Sequence, residues 1–325
     1  MPPDLIALVA LALIFVFLNG VHDSANLVST LIASRALRPA TARLLTALAE
    51  LAGPFLFGVA VAETIGSGLI QPQVVTVPVL IAALVGAIGW NIFTWLTGIP
   101  SSSSHALIGG LLGAVLLKAG SGAILLPGLM TVLAALFLAP LLGLAAGYGV
   151  TRLVFRLARN AHPKVNWFFK RAQVFTVIGL GLSHGANDAQ KSMGIITLGL
   201  LSAGVVPTFE VPLWVIAACA VSISLGTAVG GQKLIRTVGG RFFKVRPVHG
   251  FCTQLASAVV ILGAALVGGP VSASQVVSSA LMGSGAAHRA NMVRWHVARQ
   301  LLFAWLLTMP AAGLLAAGVL WLFFS

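Results

Sequence analysis

The chain has 325 residues, of which 58% are hydrophobic and only 8% are charged. Soluble domains carry about 25% charged residues, so this composition excludes a soluble enzyme and a disordered chain. The formal net charge of +13 comes from 19 basic and 6 acidic residues. A nucleic-acid interface would need basic residues on a water-exposed face with aromatic residues between them, and the apolar composition excludes that class as well.

Long apolar runs alternate with short polar connections along the whole chain. A membrane-spanning helix needs about 20 apolar residues, because the hydrocarbon core of a bilayer is about 30 Å thick. The runs therefore predict an all-α polytopic membrane protein with about ten membrane segments, which include broken helices or re-entrant hairpins. In chain order, the predicted segments are 5–34, 41–62, 74–98, 103–117, 123–150, 172–203, 211–231, 248–268, 271–286 and 297–323.

Most of the basic residues lie in four clusters between these runs. Because Lys and Arg accumulate in cytoplasmic loops, all four clusters are predicted to face the cytoplasm. Asp4, Glu63 and Glu210 lie at the opposite ends of the runs. This threading starts the first half of the chain outside and the second half inside. We predict a first repeat at 1–150, a basic cytoplasmic linker at 151–171 and a second repeat at 172–325. The clusters are Arg35, Arg38 and Arg43; Arg152, Arg156, Arg159, Lys164, Lys170 and Arg171; Lys233, Arg236, Arg241, Lys244 and Arg246; and Arg289, Arg294 and Arg299.

Two motifs recur in the same order in the two halves. The segment LNGVHDSAN around Asp23 corresponds to LSHGANDAQ around Asp188, and each interrupts an apolar run. The segment GIPSSSSH at 98–105 corresponds to GGPVSASQ at 268–275. A weaker pair surrounds Glu50 and Gln254. Together with the opposite threading, this order predicts two inverted-topology repeats, which are typical of secondary transporters with a substrate site between the halves.

The two Gly-Pro segments contain residues suited to binding an anion. The Pro and the serines that follow it predict the start of a helix, whose free N–H groups and positive dipole end attract negative charge. Ser102, Ser103 and Ser104 of the first half, with Ser272 and Ser274 of the second, would then form a two-sided anion cradle. The alternative is ordinary helix capping and close packing by small residues.

Four ionisable residues lie within predicted membrane spans: Asp23, Glu50, Asp188 and Lys191. Because an ionisable group at bilayer depth costs at least about 2.5–3.5 kcal/mol, each is a candidate functional residue. Asp23 and Asp188 would repel an anion unless a cation lies near them. Lys191 would either pair with Asp188 or contact the anion directly.

Cation binding resolves this repulsion. We expect the Asp23 and Asp188 carboxylates, with Asn26, Asn187 and carbonyl groups of locally unwound helix, to bind Na⁺ or to carry protons. The side chains of Glu50 and Gln254 are further oxygen ligands for the same ion. A bound cation would favour binding of the anion, which is the thermodynamic basis of symport.

The sequence lacks the motifs of the enzymes that a membrane protein could contain. No G-x-x-x-x-G-K-[ST] loop is present, which argues against ATP hydrolysis. The H-E-x-x-H motif of metalloproteases is also absent, and the one G-x-S-x-G match, at 181–185, lies inside an apolar run and not on a predicted strand-to-helix turn. We therefore expect neither an enzyme nor a cofactor other than the coupling cation.

These motifs resemble the paired signatures of the inorganic phosphate transporter (PiT) family. The likeness depends on LNGVHDSAN, SHGANDAQKSMG and IPSSSSH, and it covers essentially the whole chain. The resemblance implies an inverted-repeat fold and phosphate uptake by symport with Na⁺ or H⁺. It also implies that Asp23, Asn26, Asn187 and Asp188 contribute to the ion and phosphate site, and that the five serines form the phosphate cradle.

The chain departs from the family pattern at several positions. His22 and Lys191 stand where many members have Asn, and Gln254 stands where the repeat would place a Glu. Because fewer anionic ligands weaken the case for several Na⁺ ions, we expect proton coupling, with His22 as a candidate proton carrier. Sodium at Asp23 and Asp188 is the alternative.

The sequence thus predicts a secondary active transporter that imports inorganic phosphate across the cytoplasmic membrane by alternating access. The expected partners are phosphate, a coupling cation and the lipid bilayer, with a homo-oligomer also possible. Three alternatives stay open: a permease for sulfate or another oxyanion, a passive anion channel and a non-transporting membrane scaffold. A carboxylate that faces the anion favours phosphate over sulfate, because only phosphate can donate a hydrogen bond near pH 7.

Overall fold

The computed structural model describes residues 1–162, 164–230 and 245–324, and the regular structure in these ranges is helical. Of the predicted basic clusters, Lys233, Arg236, Arg241 and Lys244 lie outside the described residues. A π-helical turn at Thr64–Gly68 directly follows the third helix. The described α-helices, numbered in chain order, are α1 Pro3–Ala33, α2 Pro39–Leu56, α3 Ala60–Glu63, α4 Val77–Thr97, α5 Ser103–Ala119, α6 Leu126–Leu157, α7 Val165–Ser202, α8 Leu213–Val229, α9 Pro247–Leu266, α10 Ala273–His288 and α11 Trp295–Phe324.

Several of these helices are suited to crossing a bilayer. In the described ranges, α1, α4, α6, α9 and α11 are long and apolar enough, and α2 with α3 and its π-helical turn is a sixth candidate, bent by 70°. Helices α5 and α8 are apolar but have only 17 residues each. The chain is therefore an all-helical multi-pass membrane protein, as predicted. The count of ten membrane segments stays a prediction.

The apolar residues form both a core and an outer surface. The largest buried cluster joins side chains of α1, α4, α5 and α7, such as Phe15, Leu84 and Leu107. Large apolar side chains are exposed on the outer faces of α6 and α11, for example Leu141 and Trp321. In water such a surface would be unfavourable, whereas in a bilayer it contacts lipid chains.

The Asp23 and Asp188 motifs lie within continuous helices, α1 and α7. The expected unwinding at these motifs is therefore wrong. A Cβ atom on Gly20 would lie 2.3 Å from the Ile223 carbonyl oxygen on α8, and one on Gly185 would lie 2.2 Å from the Glu50 carbonyl oxygen on α2. These glycines permit close helix packing, for which membrane proteins use small residues.

True breaks occur at the two Gly-Pro segments. Gly98 and Gly268 adopt φ angles of 73° and 75°, which glycine tolerates because it has no Cβ atom. The chain then turns, and new helices begin at Ser103 and Ala273. The predicted breaks are present, and we call α4 with α5 the first hairpin and α9 with α10 the second hairpin. That either of them is re-entrant stays a prediction.

The two halves pack against each other in a reciprocal manner. Helix α1 packs on α8 as α7 packs on α2, and α5 packs on α11 as α10 packs on α6. A Cβ on Gly53 would meet the backbone of Leu182 and Ala186, and one on Gly226 would meet that of Phe17 and Val21. The contacted residues differ by 165 positions, the same interval that separates Asp23 from Asp188.

This reciprocity changes one of the sequence pairings. Gly185 approaches the backbone of Glu50, and its counterpart Gly20 approaches that of Ile223. The position that matches Glu50 is therefore Ile223 on α8, not Gln254 on α9. The motif similarity around Glu50 and Gln254 does not reflect equivalent places in the fold.

Candidate functional site

Four ionisable side chains meet where α1, α2 and α7 pack together. The Nδ1 atom of His184 lies 2.7 Å from Glu50 Oε1, and its Nε2 atom lies 3.4 Å from Asp23 Oδ2 and 3.5 Å from Asp188 Oδ2. All four residues are buried, with Asp23 the most exposed at 5%. We call Asp23, Glu50, His184 and Asp188 the ionic cluster.

Both ring nitrogens of His184 face carboxylate oxygens, Nδ1 at 2.7 Å and Nε2 at 3.4 Å. A hydrogen bond at each nitrogen needs one hydrogen between the nitrogen and the oxygen. A neutral imidazole has only one N–H group. The geometry therefore fits either an imidazolium or a neutral imidazole beside a protonated carboxyl group. In both cases the ionic cluster holds a proton that a neutral His184 with three ionised carboxylates would lack.

A cation other than a proton could also be held here. One ligand atom from each of Asp23, His184 and Asp188 lies within 4.8 Å of the others. His184 belongs to this group, and its Nδ1 atom already forms a hydrogen bond with Glu50. An imidazolium can bridge the same carboxylates without any metal ion.

Lys191 connects the ionic cluster to both hairpins. Its Nζ atom donates to Asp188 Oδ1 at 2.5 Å, to Ser104 Oγ at 2.6 Å and to the Val271 carbonyl oxygen at 2.6 Å. An ammonium group has three N–H donors, so these bonds use all of them. The structure thus pairs Lys191 with Asp188, and direct contact of Lys191 with the anion stays a prediction.

The tips of the two hairpins contact each other at matching positions. Ser102 Oγ donates to Ser272 Oγ at 2.9 Å, and Gln275 Nε2 lies 3.2 Å from His105 Nδ1. Ser102 also caps α5 by accepting from the backbone N–H of His105. In the described structure α10 has no such side-chain cap. Two helix N-termini, with their free N–H groups, therefore meet near the ionic cluster.

Polar bridges join the first hairpin to the ionic cluster. Ser103 Oγ donates to Asn19 Oδ1 at 2.5 Å, and Asn19 Nδ2 donates to Asp188 Oδ1 at 3.1 Å. Ser104 Oγ donates to the carbonyl oxygen of Val271 in the second hairpin at 3.1 Å. The hydroxyl-rich tips and the carboxylates thus belong to one connected site.

Three further predicted residues, Asn187, Ser274 and Asn26, lie at the second hairpin or beside Asp23. Asn187 Nδ2 donates to the Gly269 carbonyl oxygen at 3.0 Å, and its Oδ1 accepts from Val271 N at 3.2 Å. Ser274 is partly exposed and lies 3.1 Å from Ser272. Asn26, also partly exposed, donates to Asp23 Oδ1 at 3.4 Å.

Two predicted coupling residues make no contact with His184, although His22 directly precedes Asp23 in the chain. The ring of His22 lies beside Trp95, with centroids 6.0 Å apart. Gln254 accepts a hydrogen bond from Thr176 and donates one to Thr30, and so links α9 to α7 and α1. The structure does not bring His22 or Gln254 into contact with His184.

Sequence reasoning missed His184 and Asn19. His184 precedes Asp188 by four residues, a spacing that places both on one face of a helix. This spacing predicts that His184 lies beside Asp188 only if the helix continues through the motif. Because we expected the helix to be unwound there, the spacing was not used. Asn19 stands 165 positions before His184 and donates a hydrogen bond to Asp188. The matching positions of the two halves therefore both contact the Asp188 carboxylate.

Comparisons with known proteins identify the family. Residues 19–316 match the profile of the phosphate transporter family. A "Probable low-affinity inorganic phosphate transporter" of Rhizobium meliloti (strain 1021) is 43% identical over 97% of this chain and 95% of its own. A protein of the same name from Bacillus subtilis (strain 168) is 41% identical over 96% and 95%. A solved structure called "The sodium-dependent phosphate transporter" matches with a TM-score of 0.88 and 25% identity, over 99% of both chains. The chain belongs to the phosphate transporter family.

Proposed function

We propose that this protein imports inorganic phosphate across the cytoplasmic membrane by symport with protons. The observation that carries the proposal is the His184 imidazole, which lies among three buried carboxylates directly beside two helix N-termini. The site thus combines a place for protons with a place for an anion. The curated relatives are named for inorganic phosphate, which supports the same substrate for this chain.

The charges of the site provide the coupling. With a neutral His184, three carboxylates and the Lys191 ammonium give the site a formal charge of −2. An anion brought to the hairpin tips is then repelled, and each proton that binds reduces the repulsion. By linkage, the bound anion raises the affinity of the site for protons by the same factor. Protons and phosphate therefore bind together and are released together.

Phosphate is favoured over sulfate by the hydrogen-bonding groups present. The hairpin hydroxyls and helix N–H groups can donate to either anion. The Asp23 and Asp188 carboxylates can only accept when they are ionised. Monohydrogen and dihydrogen phosphate carry O–H groups that satisfy such acceptors, whereas sulfate at neutral pH carries none.

Sodium is the second candidate for the coupling ion. The solved relative is called sodium-dependent, and oxygen ligands of the kind found here suit hard cations. The position of His184 supports protons, because its ring nitrogens lie 2.7–3.5 Å from oxygens of Asp23, Glu50 and Asp188, the carboxylates that a sodium ion at this site would use. Gradient experiments separate the two ions.

Alternating access follows from a two-repeat architecture. The reciprocal packing of α1 on α8 and of α7 on α2, with the same 165-residue interval, supports two related halves at 1–150 and 172–325. The predicted threading places these halves in opposite orientations. We propose that the halves exchange conformations around the hairpin tips and expose the site to one side at a time. The linker predicted at 151–171 contains the end of α6 and the start of α7.

Transport into proteoliposomes tests the proposal. Outside pH is kept constant so that the ionic form of external phosphate does not change, and the lumen is set either to the same pH or one unit higher. Accumulation of labelled phosphate above equilibrium only with the alkaline lumen is the expected result. A Na⁺ gradient at equal pH is the parallel arm, and sulfate serves as competitor.

Each alternative has its own outcome in this assay. Accumulation driven by Na⁺ alone would assign sodium coupling, and uptake that never exceeds equilibrium would indicate a channel. Sulfate that competes as well as unlabelled phosphate would indicate a general oxyanion permease. Full activity of Asp188→Asn would contradict any role of the ionic cluster in transport.

A further inference from the structure

The Lys191 ammonium occupies a cage of oxygen atoms from three separate segments. The ligands are a carboxylate on α7, a hydroxyl at the start of α5 and a backbone carbonyl of the second hairpin, at 2.5–2.6 Å from Nζ. Lys191 is 1% exposed, and it ranks among the largest fully buried side chains of the described structure. Carboxylate, hydroxyl and carbonyl oxygens are also the ligands that hard metal cations take.

The matching position of the first half has no such charge. Asn26 stands 165 residues before Lys191 and donates its amide to Asp23 Oδ1, as Lys191 donates to Asp188 Oδ1. Asn26 is neutral and partly exposed. The second half therefore contains a covalently attached cation at a place where the first half has an uncharged donor.

We propose that Asp188 Oδ1, Ser104 Oγ and the Val271 carbonyl oxygen form a monovalent cation site that the Lys191 ammonium fills from within the chain. The lysine supplies a positive charge that never leaves the protein. It compensates Asp188 in every state of the cycle, so no dissociable cation binds there. Replacing Lys191 by a short neutral side chain should open this site to Na⁺.

This proposal differs from a purely structural ion pair in what it predicts for variants. If Lys191 only neutralises Asp188, a short and a long neutral side chain at this position should reduce phosphate uptake to the same extent, with or without Na⁺. If the oxygen cage is a cation site, Lys191→Ala should regain function with Na⁺. Lys191→Met should not, because its side chain occupies the space of the lysine stem without carrying a charge. These two variants are the matched pair.

Cation binding can be measured without transport. The purified protein is unfolded thermally in NaCl and in choline chloride at equal concentration. We expect Na⁺ to raise the Tm of Lys191→Ala by about 2–5 °C at roughly ten times the dissociation constant of the site, and to leave wild type and Lys191→Met unchanged relative to choline. An equal Na⁺ response in Lys191→Ala and Lys191→Met would overturn the proposal.

Transport provides the second readout, and it rests on the proposed function. In proteoliposomes, wild-type uptake should be the same in Na⁺ and choline, whereas uptake by Lys191→Ala should rise about tenfold or more with Na⁺. Phosphate uptake that is absent in wild type would refute the transport proposal, while the thermal measurement would still decide the cation site. If Lys191→Ala does not purify as a folded protein, Lys191→Asn, which copies Asn26, takes its place with the same expected results.

Discussion

Substituting alanine for Gly185 should separate α7 from α2 and disable the ionic cluster. A Cβ at this position would lie 2.2 Å from the Glu50 carbonyl oxygen, whereas ordinary contacts begin at 3.4 Å. The helices must therefore move apart by about 1.2 Å. The same movement would lengthen the contact between His184 Nδ1 and Glu50 Oε1 from 2.7 Å to well beyond hydrogen-bonding distance.

The magnitude follows from two opposing effects. Overpacking of this kind costs about 1–3 kcal/mol, and replacing a helical glycine returns about 0.5–1 kcal/mol. We expect Gly185→Ala to lose at most about 2.5 kcal/mol of stability. Misplacement of reacting groups by about 1 Å can cost 10²-fold in rate, and we expect a loss of similar size in the initial rate of phosphate uptake per reconstituted protein.

The control is an alanine on the same helix. A Cβ at Gly179 would lie no closer than 3.9 Å to its nearest neighbour, Ala258, so Gly179→Ala should transport normally. Tm values of both variants separate loss of folding from loss of transport. If Gly185→Ala were folded and transported phosphate as fast as Gly179→Ala, the close contact of α2 and α7 would be irrelevant to function and the reasoning would be refuted.

Three further predictions concern single side chains of the site. His184→Gln should abolish accumulation driven by a pH gradient, because an amide cannot carry the second proton; retained accumulation would exclude His184 as the proton carrier. His22→Gln should keep pH-driven accumulation, since His22 lies beside Trp95; its loss would restore the sequence-based assignment. Ser102→Ala should raise the KM for phosphate, and it should cost about 1 kcal/mol of stability through the lost helix cap, measured as a fall in Tm; an unchanged KM would separate this hydroxyl from the anion site.

Features that depend on local sequence could be predicted well. A Gly-Pro break followed by serines and ionisable residues within apolar runs are readable without knowing how helices pack, and they located the hairpins and both aspartates. The same motifs carried the family resemblance, and membership of the phosphate transporter family confirms it. The prediction of a transporter and not an enzyme is confirmed in the same way.

Features that depend on packing could not be read from the motifs. The Asp23 and Asp188 motifs were interpreted as locally unwound helix, but α1 and α7 continue through them, and Gly20 and Gly185 lie in close contact with the backbone of α8 and α2. That interpretation hid the helical spacing between His184 and Asp188. The similarity of the segments around Glu50 and Gln254 likewise gave no sign that these residues occupy unrelated places.

The hydrogen bond between Ser102 and Ser272 has a consequence for how firmly the two hairpin tips are held together. A phosphate ion held by both hairpin tips would have to replace this contact. Hydrogen bonds between membrane helices are worth only about 0.6–2 kcal/mol, so the exchange of one set of partners for another is nearly balanced. On the proposed function, phosphate therefore has to replace only a weak contact between the two hairpins before both of them can bind it.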